Sequence, residues 1–304
     1  MVMELELSDL YRDYAYFHRV AIATRDVDPT YPVYVALADR LGLDGGGRAW
    51  LVFLHVGYYH MGSALAAYAA ARSPADAALA PVNLPKGTER RSYRWRPEWL
   101  TRYLRSVYEA ARRHGGNLHA WAAADLPDEP RAAWAALTRK LLTLAYTGRW
   151  AAFKAAEMLQ QVCGLPVAAP DMGHAFSTGP RRGLALLYPG LPDGHGAKVV
   201  AVLDGYSERL LARLRADGLP ATMEQAETTL CDFHALTEGR YYVGHDIDLM
   251  LQQLFAVQSR LTTVALEARA DALPHAYLGE LNGWAGVDRR RCGHYRRTGE
   301  VLVR

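Results

Sequence analysis

The sequence predicts an all-α protein, on the strength of three observations. Apolar residues recur at helical spacing along most of the chain, and alternating β-branched runs are scarce. Several of these segments begin with residues typical of helix starts. Clusters of Gly and Pro separate them. These patterns predict helices at 7–25, 31–42, 47–72, 97–114, 131–145, 149–163, 179–188, 197–217, 223–238 and 247–271.

Three helices have chemical start signals. Pro97 stands at a first-turn position, where a missing N–H costs nothing. Thr222 and Gln225 have the spacing of a capping box. Asp246 is expected to cap the last long helix. No flexible linker is evident, so we expect one integrated unit, with an N-terminal helical lobe over 1–120 and a second helical region over 121–304.

Composition excludes several classes of protein. No run of about twenty apolar residues occurs, which argues against a membrane span. The first nine residues carry acids and no basic segment, so they do not resemble a signal peptide. The three cysteines are far apart and odd in number, which predicts reduced thiols and a cytoplasmic protein. The net charge of +3 is too small to indicate a nucleic-acid partner by itself.

The distribution of positive charge is more informative than its total. Residues 86–113 hold nine basic and three acidic residues, with Arg94 and Arg96 among interleaved Tyr and Trp. A second arginine cluster occupies 289–297. Positive charge beside aromatic rings suits a groove for a phosphate backbone and unstacked bases. The alternative is a solvated helix face whose aromatic residues belong to the core.

A helical hairpin lies in the middle of the chain, with a turn at Gly148 followed by Arg149 and Lys154. With Asp171 about twenty residues further on, it resembles the helix-hairpin-helix of base-excision DNA glycosylases. That resemblance implies that the hairpin binds a DNA phosphate and that Asp171 is catalytic. Ala152 falls where bifunctional members carry a nucleophilic lysine, which speaks against lyase chemistry. An ordinary helical hairpin followed by a capping aspartate is the alternative.

The segment 177–183 predicts an anion site at a helix start. Ser177 or Thr178 can serve as the N-cap, and Pro180 suits the first turn. Arg181 and Arg182 then add two guanidinium groups to the free N–H groups of the helix end. A phosphate or pyrophosphate is the natural occupant, unless the two arginines only face water.

A third cluster combines an acidic residue, a thiol and an imidazole on one predicted helix. Glu227, Cys231 and His234 are spaced four and three apart, so they share a face. The following segment 238–248 holds two glycines and the residues Tyr241, Tyr242, His245, Asp246 and Asp248. Three interpretations stay open: a metal site using Cys231, His234, His245 and an Asp, acid–base catalysis by a histidine beside carboxylates, or a structural turn.

These motifs together resemble the amino acid:DNA transferases, first described as α-glutamyl/putrescinyl thymidine pyrophosphorylases. The similar stretches are 170–174 with 177–184, and 227–233 with 239–248. The resemblance implies a glycosylase-like helical enzyme that flips a modified thymine out of double-stranded DNA in a bacteriophage-infected host cytoplasm. There an amine from an amino acid or polyamine displaces pyrophosphate from 5-(pyrophosphoryloxymethyl)uracil, which leaves an aminated thymine in the DNA.

The residues found above fit this chemistry. Pyrophosphate leaves well when its charge is neutralised, a role for Ser177, Thr178, Arg181 and Arg182. The attacking amine must lose a proton, which four residues could accept: Asp171, His174, His245 and Asp246. An extruded base needs a pocket, for which we select Glu227, Cys231, Tyr241, Tyr242 and Asp248. DNA contacts are assigned to Gly148, Arg149, Lys154, Arg94 and Arg96.

Other functions stay open at this point. No cofactor is certain, although a divalent metal ion on Asp246 and Asp248 is left open. A monofunctional DNA glycosylase would use Asp171 and release a free base. A non-catalytic DNA-binding protein would need only the hairpin and the basic stretch. An enzyme acting on a small phosphorylated metabolite would not bind DNA at all.

Overall fold

The computed structural model describes residues 5–90, 93, 95–277 and 286–303, with residue 89 described by its backbone alone. Every regular element in this part of the chain is a helix, so the all-α prediction is confirmed. The chain divides into two compact units. Unit 1 consists of Met1–Asp28, Ala169–Asp248 and Ala276–Arg304, and unit 2 of Pro29–Ala168 and Leu249–His275. The sequence-based lobes 1–120 and 121–304 remain a prediction.

Unit 1 is built around one central helix, α11. Its helices within the described ranges are α1 (Leu10–Thr24), α9 (Gly179–Leu187), α10 (Ala197–Ala216), α11 (Met223–Thr237), α14 (Arg289–Cys292) and α15 (His294–Thr298). Helix α11 contacts α1, α9, α10 and α15. At its centre the fully buried Phe233 ring lies 5.4 Å from Tyr14 and 5.8 Å from Phe17, measured between ring centroids. Burial of these large aromatic rings stabilises the contact between α1 and α11.

Unit 2 surrounds a helix, α3, that is buried on all sides over most of its length. Its described helices are α2 (Thr30–Arg40), α3 (Gly45–Tyr58), α4 (Met61–Ala70), α5 (Pro97–Arg112), α6 (Leu118–Ala123), α7 (Pro130–Leu141), α8 (Arg149–Cys163) and α13 (Thr262–Ala272). Every residue of α3 from Ala49 to Tyr58 is buried, and α3 contacts α4, α5, α6 and α8. Helix α12 (His245–Ala256) begins in unit 1, and its residues from Leu249 onward belong to unit 2.

Two predicted helices are broken where the sequence gives little warning. The predicted helix 47–72 is two helices, because Tyr59 adopts a left-handed conformation with φ of 47°. His60 then caps α4 by accepting a hydrogen bond from the Ser63 amide at 3.1 Å. The predicted helix 247–271 also breaks, at residues 257–261, where the Ser259 amide donates to Thr262 Oγ1. Neither Tyr nor His is a usual helix-ending residue.

The predicted helix starts have mixed outcomes. Pro97 is in the first turn of α5, and Thr222 and Gln225 form both bonds of the capping box, so these two predictions are confirmed. Thr178 is the N-cap of α9 but makes no side-chain cap bond, which corrects the predicted hydroxyl cap. Within the described residues no helix is both long and apolar enough to cross a membrane.

Candidate active site

Two helices of unit 1 approach each other so closely that only glycine fits at their crossing. A Cβ atom on Gly179 of α9 would lie 2.3 Å from the Sγ atom of Cys231 on α11. A Cβ atom on Gly183 would lie 2.2 Å from the carbonyl oxygen of Leu230. The missing side chains therefore let the amino end of α9 pack directly on α11. This crossing brings the predicted anion loop together with the predicted face of Glu227, Cys231 and His234.

The loop that precedes α9 is closed by its own polar groups. Asp171 accepts a hydrogen bond from the Gly173 amide at 2.7 Å, and Gly173 has a φ of 67° that favours glycine. Ser177 donates to the Met172 carbonyl at 3.3 Å instead of capping the helix. Asp171 is thus held at the base of a tight turn, with part of its surface exposed.

His174 is buried and bound to α10. Its Nε2 atom hydrogen-bonds with Ser207 at 2.8 Å, while its Nδ1 atom is buried with no hydrogen-bond partner among the described residues. Burial, with the nearby Arg181 charge, lowers the pKa of His174 to about 4. The ring is therefore neutral at physiological pH and is a weak proton acceptor.

A carboxylate that the sequence analysis did not single out lies beside this loop. Burial, with the negative charges of Asp171 and Glu208, raises the pKa of Asp204 on α10 to about 6. Like charges close together disfavour ionisation, which explains the direction. Helical spacing places Asp204 and Glu208 on one face of α10, but the sequence held no clue that Asp171 would join them.

The two arginines of the predicted anion site differ in availability. Arg181 is only 8% exposed and donates hydrogen bonds to His195 Nδ1 at 2.8 Å and to Asp193 Oδ1 at 3.2 Å. It therefore holds the 193–195 loop against the start of α9. Arg182 is exposed, and its charge acts on His234 and Glu238 of α11. Of the pair, Arg182 is the guanidinium that faces solvent.

The face of α11 carries the predicted trio of side chains. Glu227, Cys231 and His234 are all partly exposed. His234 Nε2 lies 3.3 Å from the Glu238 carboxylate one turn later. Burial lowers the pKa of His234, and the charges of Arg182 and Arg240 lower it further against the opposing charge of Glu238. Imidazole, carboxylate and guanidinium thus meet at one end of α11.

In the segment after α11, the His245 ring packs against two tyrosine rings. Its ring stacks on Tyr241 at 4.8 Å and meets the edge of Tyr242 at 5.6 Å. Both tyrosines are buried, and Tyr242 donates a hydrogen bond to the buried Asp248. Base stacking by these tyrosines stays a prediction, because the contacts described for them are within the protein.

His245 also forms a pair with the next residue. Its Nδ1 atom lies 2.8 Å from Asp246 Oδ1. Burial alone would lower the pKa of His245, but the hydrogen bond and charge of Asp246, with the charges of Asp26 and Asp248, outweigh it and raise the pKa. An imidazole oriented by a carboxylate is an arrangement suited to general-base catalysis.

The residue that organises this segment was missed by the sequence analysis. Asp26, in the turn after α1, is 0% exposed. It accepts hydrogen bonds from the Tyr241 hydroxyl at 2.8 Å, the Gly244 amide at 2.6 Å and the Ile247 amide at 3.3 Å. Asp26 therefore satisfies the amino end of α12, the role predicted for Asp246, and this corrects that prediction.

Burial and the neighbouring Asp246 charge raise the pKa of Asp26 to about 7, against the hydrogen bonds that favour its ionised form. In sequence, Asp26 looks like an ordinary residue at the end of a helix. Its partners lie more than 210 positions away, so no local pattern could reveal its role.

The DNA-contacting residues predicted from the hairpin and the basic stretch lie in unit 2. Gly148 and Arg149 are exposed at the start of α8, and Arg96 is exposed ahead of α5. Lys154 is 7% exposed, and its ammonium is 2.8 Å from Glu157 Oε2 on the same helix. Arg94 lies outside the described residues.

The predicted metal site would require Cys231, His234, His245 and an Asp to lie together. Among the residues that the structure describes, no group of three or more His, Cys, Asp and Glu side chains is arranged to hold a metal ion. Cys231 packs on Gly179, whereas His245 pairs with Asp246.

An all-α chain that gathers carboxylates and imidazoles around one helix crossing has the features of a helical enzyme. A family model described as amino acid:DNA transferase matches residues 22–242. The match covers well over half of the chain, and the chain belongs to this family. It is a transferase that modifies DNA with an amino acid. Asp26, Asp171 and Glu227 lie within the matched residues, whereas His245, Asp246 and Asp248 lie beyond them.

Proposed function

We propose that this transferase displaces pyrophosphate from 5-(pyrophosphoryloxymethyl)uracil in double-stranded DNA, with the amine of an amino acid or polyamine as the nucleophile. The observation that carries the proposal is the α9–α11 crossing. It joins the amino end of α9, with its exposed Arg182, to the ionisable face of α11. A helix amino end and a guanidinium suit a leaving anion, while imidazole and carboxylate groups suit a proton acceptor.

The reaction is a substitution at the 5-methylene carbon of the base. The donor ammonium first gives up one proton, and the resulting amine forms a carbon–nitrogen bond. The carbon–oxygen bond breaks, and pyrophosphate leaves with the bonding electrons. A second proton then leaves the new secondary ammonium. Arg182 and the N–H groups at the start of α9 stabilise the charge that develops on the leaving oxygen.

Two groups are suited to accept the amine proton. His245 is oriented by Asp246, whose hydrogen bond and charge raise its pKa against the effect of burial, so the imidazole is a stronger base than usual. Asp171 is partly exposed and fixed by the Gly173 amide. His174 is less suited, since its pKa of about 4 leaves it a weak base. In this proposal Arg181 acts indirectly, by holding the 193–195 loop beside Arg182.

The DNA has to reach this chemistry with its base extruded. Glu227, Cys231 and Asp248 remain our candidates for the base pocket, with Tyr241 and Tyr242 as supporting walls. Gly148, Arg149 and Arg96 remain the proposed contacts to the DNA backbone. Lys154 is omitted, because Glu157 already neutralises its buried ammonium. The helix-hairpin-helix interpretation of residues 141–157 belongs to this proposal.

Mass spectrometry of digested nucleosides tests the reaction. DNA containing pyrophosphorylated 5-hydroxymethyluracil is incubated with the protein and a pool of amino acids and polyamines. We expect a new nucleoside whose added mass identifies the donor. Release of a free base would instead indicate a glycosylase. Unchanged DNA that still binds the protein would indicate a binding function, and DNA that does not bind would indicate a small phosphorylated substrate.

Variants then separate the roles. Arg182→Ala removes the guanidinium that stabilises the departing pyrophosphate and should lower kcat roughly 100-fold to 1000-fold. The control variant Arg139→Ala, on the exposed surface of α7, should not change kcat. If His245 is the base, kcat of the wild type rises with pH, and His245→Ala should abolish that rise. Asp171→Asn should then keep it. The opposite pattern would assign the base to Asp171.

A further inference from the structure

Helix α5 of unit 2 exposes arginines that line a pocket. Arg102 and Arg105 of α5, with Arg113 just after its last residue, line a surface pocket of about 350 Å³, which Thr143 also lines. The pocket also contains Glu109, whose carboxylate is 2.9 Å from the guanidinium of Arg112. Because that acid already has a partner, the remaining charge of the pocket is positive. Such a pocket suits a phosphate group.

The hairpin loop 142–148 is attached to the same face of α5. The Tyr93 hydroxyl donates to the Tyr146 carbonyl at 3.1 Å, and the Ala145 amide donates to Ser106 Oγ at 3.0 Å. Arg102 Nη1 donates to the Tyr146 hydroxyl at 2.9 Å. These bonds unite two features that are separate in sequence, the basic stretch and the hairpin, in one surface.

Aromatic rings lie along this surface beside the charges. Trp99 and Tyr146 stack with ring centroids 4.7 Å apart and planes 9° from parallel. The Arg96 guanidinium lies 4.9 Å from the centre of the Trp99 ring. Trp95 is 86% exposed, an unusual position for a side chain with so much apolar area. Exposed rings interleaved with arginines provide stacking positions for nucleic-acid bases.

The start of α8 continues the surface. Gly148 is the N-cap of this 15-residue helix and offers no side chain to the first N–H groups. Gly148 and Arg149 are both exposed. Unsatisfied amides at a helix start attract an anion, and the adjacent arginine adds positive charge.

We infer that α5 and the loop 142–148 bind a DNA strand whose bases are unpaired. Its phosphates lie on Arg102, Arg105 and Arg113, and its bases stack on Trp95 and along the Trp99–Tyr146 pair. A duplex offers its phosphates to arginines but keeps its base faces inside the helix, so the exposed rings favour unpaired DNA. The inference rests on the proposed function, because base extrusion leaves locally unpaired DNA.

Fluorescence anisotropy of the full chain with unmodified oligonucleotides tests this surface. A labelled single strand and the matching duplex are titrated at several salt concentrations. We expect tighter binding of the single strand. The double variant Arg102→Ala/Arg105→Ala should weaken binding at least tenfold and reduce the slope of log K against log salt by about 1 to 2. The control variant Arg131→Ala/Arg139→Ala, on α7, should bind like the wild type.

A separate variant tests the exposed aromatic rings. Trp95→Ala removes an exposed side chain and should weaken single-strand binding about fivefold to a hundredfold, with little change for the duplex. The inference would be overturned if the α5 double variant and the α7 double variant lost single-strand affinity equally. Tighter binding of the duplex than of the single strand would also overturn it. Tighter binding of an RNA strand of the same sequence would overturn the assignment to DNA. These assays use no modified base, so a failure of the proposed chemistry would not affect them.

Discussion

Each unit buries a carboxylate that accepts a hydrogen bond from a tyrosine, but the other donors differ. In unit 2, Glu157 accepts from Tyr31 at 2.9 Å and pairs with the ammonium of Lys154 at 2.8 Å. In unit 1, the donors to Asp26 are Tyr241 and two backbone amides, all of them neutral. A cation balances the first charge, whereas the second is only partly compensated.

The difference separates a carboxylate paired with a cation from one that lies beside the proposed active site. Hydrogen bonds from neutral donors stabilise the buried negative charge less than burial destabilises it, so the pKa of Asp26 rises to about 7. Shifted pKa values of this kind concentrate at active sites. Asp26 holds the segment that carries His245 and Asp246, so the energetic cost of its burial lies beside two residues that we propose for proton transfer.

The largest effect is expected from breaking the balanced pair in unit 2. Glu157→Ala removes the carboxylate partner of the buried Lys154 ammonium and should lower the free energy of unfolding by about 3–5 kcal/mol. Urea denaturation measures the loss. The double replacement Lys154→Met/Glu157→Leu removes both charges and should cost far less. A loss under about 1 kcal/mol for Glu157→Ala would contradict the idea that the pair is balanced by charge.

The next effect concerns the pH dependence that the unbalanced carboxylate produces. Because the folded-state pKa of Asp26 is raised from 3.8 to about 7, the folded chain binds a proton more tightly than the unfolded chain. The stability of the wild type relative to Asp26→Asn should therefore fall as pH rises from about 4 to about 7. The fall is about 4 kcal/mol at most, since a change of one in pKa corresponds to about 1.4 kcal/mol.

Urea unfolding of both proteins at pH 4 and pH 8 measures this difference. Asn can replace the protonated carboxyl but carries no charge, so the variant should approach or exceed the wild type in stability at pH 8. Parallel pH profiles for the two proteins would show that the charge of Asp26 is compensated after all. The contrast with Glu157 would then be wrong.

A smaller effect extends the comparison from charge to packing. Gly183→Ala places a Cβ atom 2.2 Å from the Leu230 carbonyl oxygen and should lower stability by about 1–3 kcal/mol, because α9 and α11 must separate. Gly205→Ala on α10 meets no atom within 4 Å and should raise stability by about 0.5–1 kcal/mol. Urea denaturation measures both variants. Equal stability would mean that α9 and α11 can move apart at little energetic cost.

The smallest effect is expected at an exposed ion pair of unit 2. Arg40 bonds to Glu267 at 3.0 Å and to Asp271, but all three side chains are well exposed to solvent. Water and salt screen such charges, so Arg40→Ala should leave the urea midpoint unchanged within measurement error. A clear loss would show that charge pairing stabilises unit 2 at its surface as well as in its interior.

Much of the fold and part of the site could be predicted from the sequence. Helical spacing and the Thr222 capping box act over a few residues, so they are visible in one segment. The same holds for the shared face of Glu227, Cys231 and His234. The family was confirmed by a match to residues 22–242, which includes most of the motifs on which the resemblance rested.

What could not be predicted depends on contacts between distant segments. The Asp26 carboxylate meets Tyr241 only in the folded chain, and Asp204 meets Asp171 only because a loop packs on α10. The internal bonds of Arg181 with His195 and Asp193 were likewise invisible. The break at Tyr59 and His60 was also not predicted, because neither residue type usually ends or starts a helix.

The bond between Tyr14 and Thr229 joins positions 215 residues apart, and it has a consequence for biosynthesis. Helix α1 leaves the ribosome first, but α11 is synthesised only about 10–40 s later at a usual rate of translation. The intervening segment includes residues 29–168 of unit 2, whose remaining residues, 249–275, are synthesised after α11. The apolar face of α1 is therefore exposed for that time, which makes it a natural binding site for chaperones during synthesis.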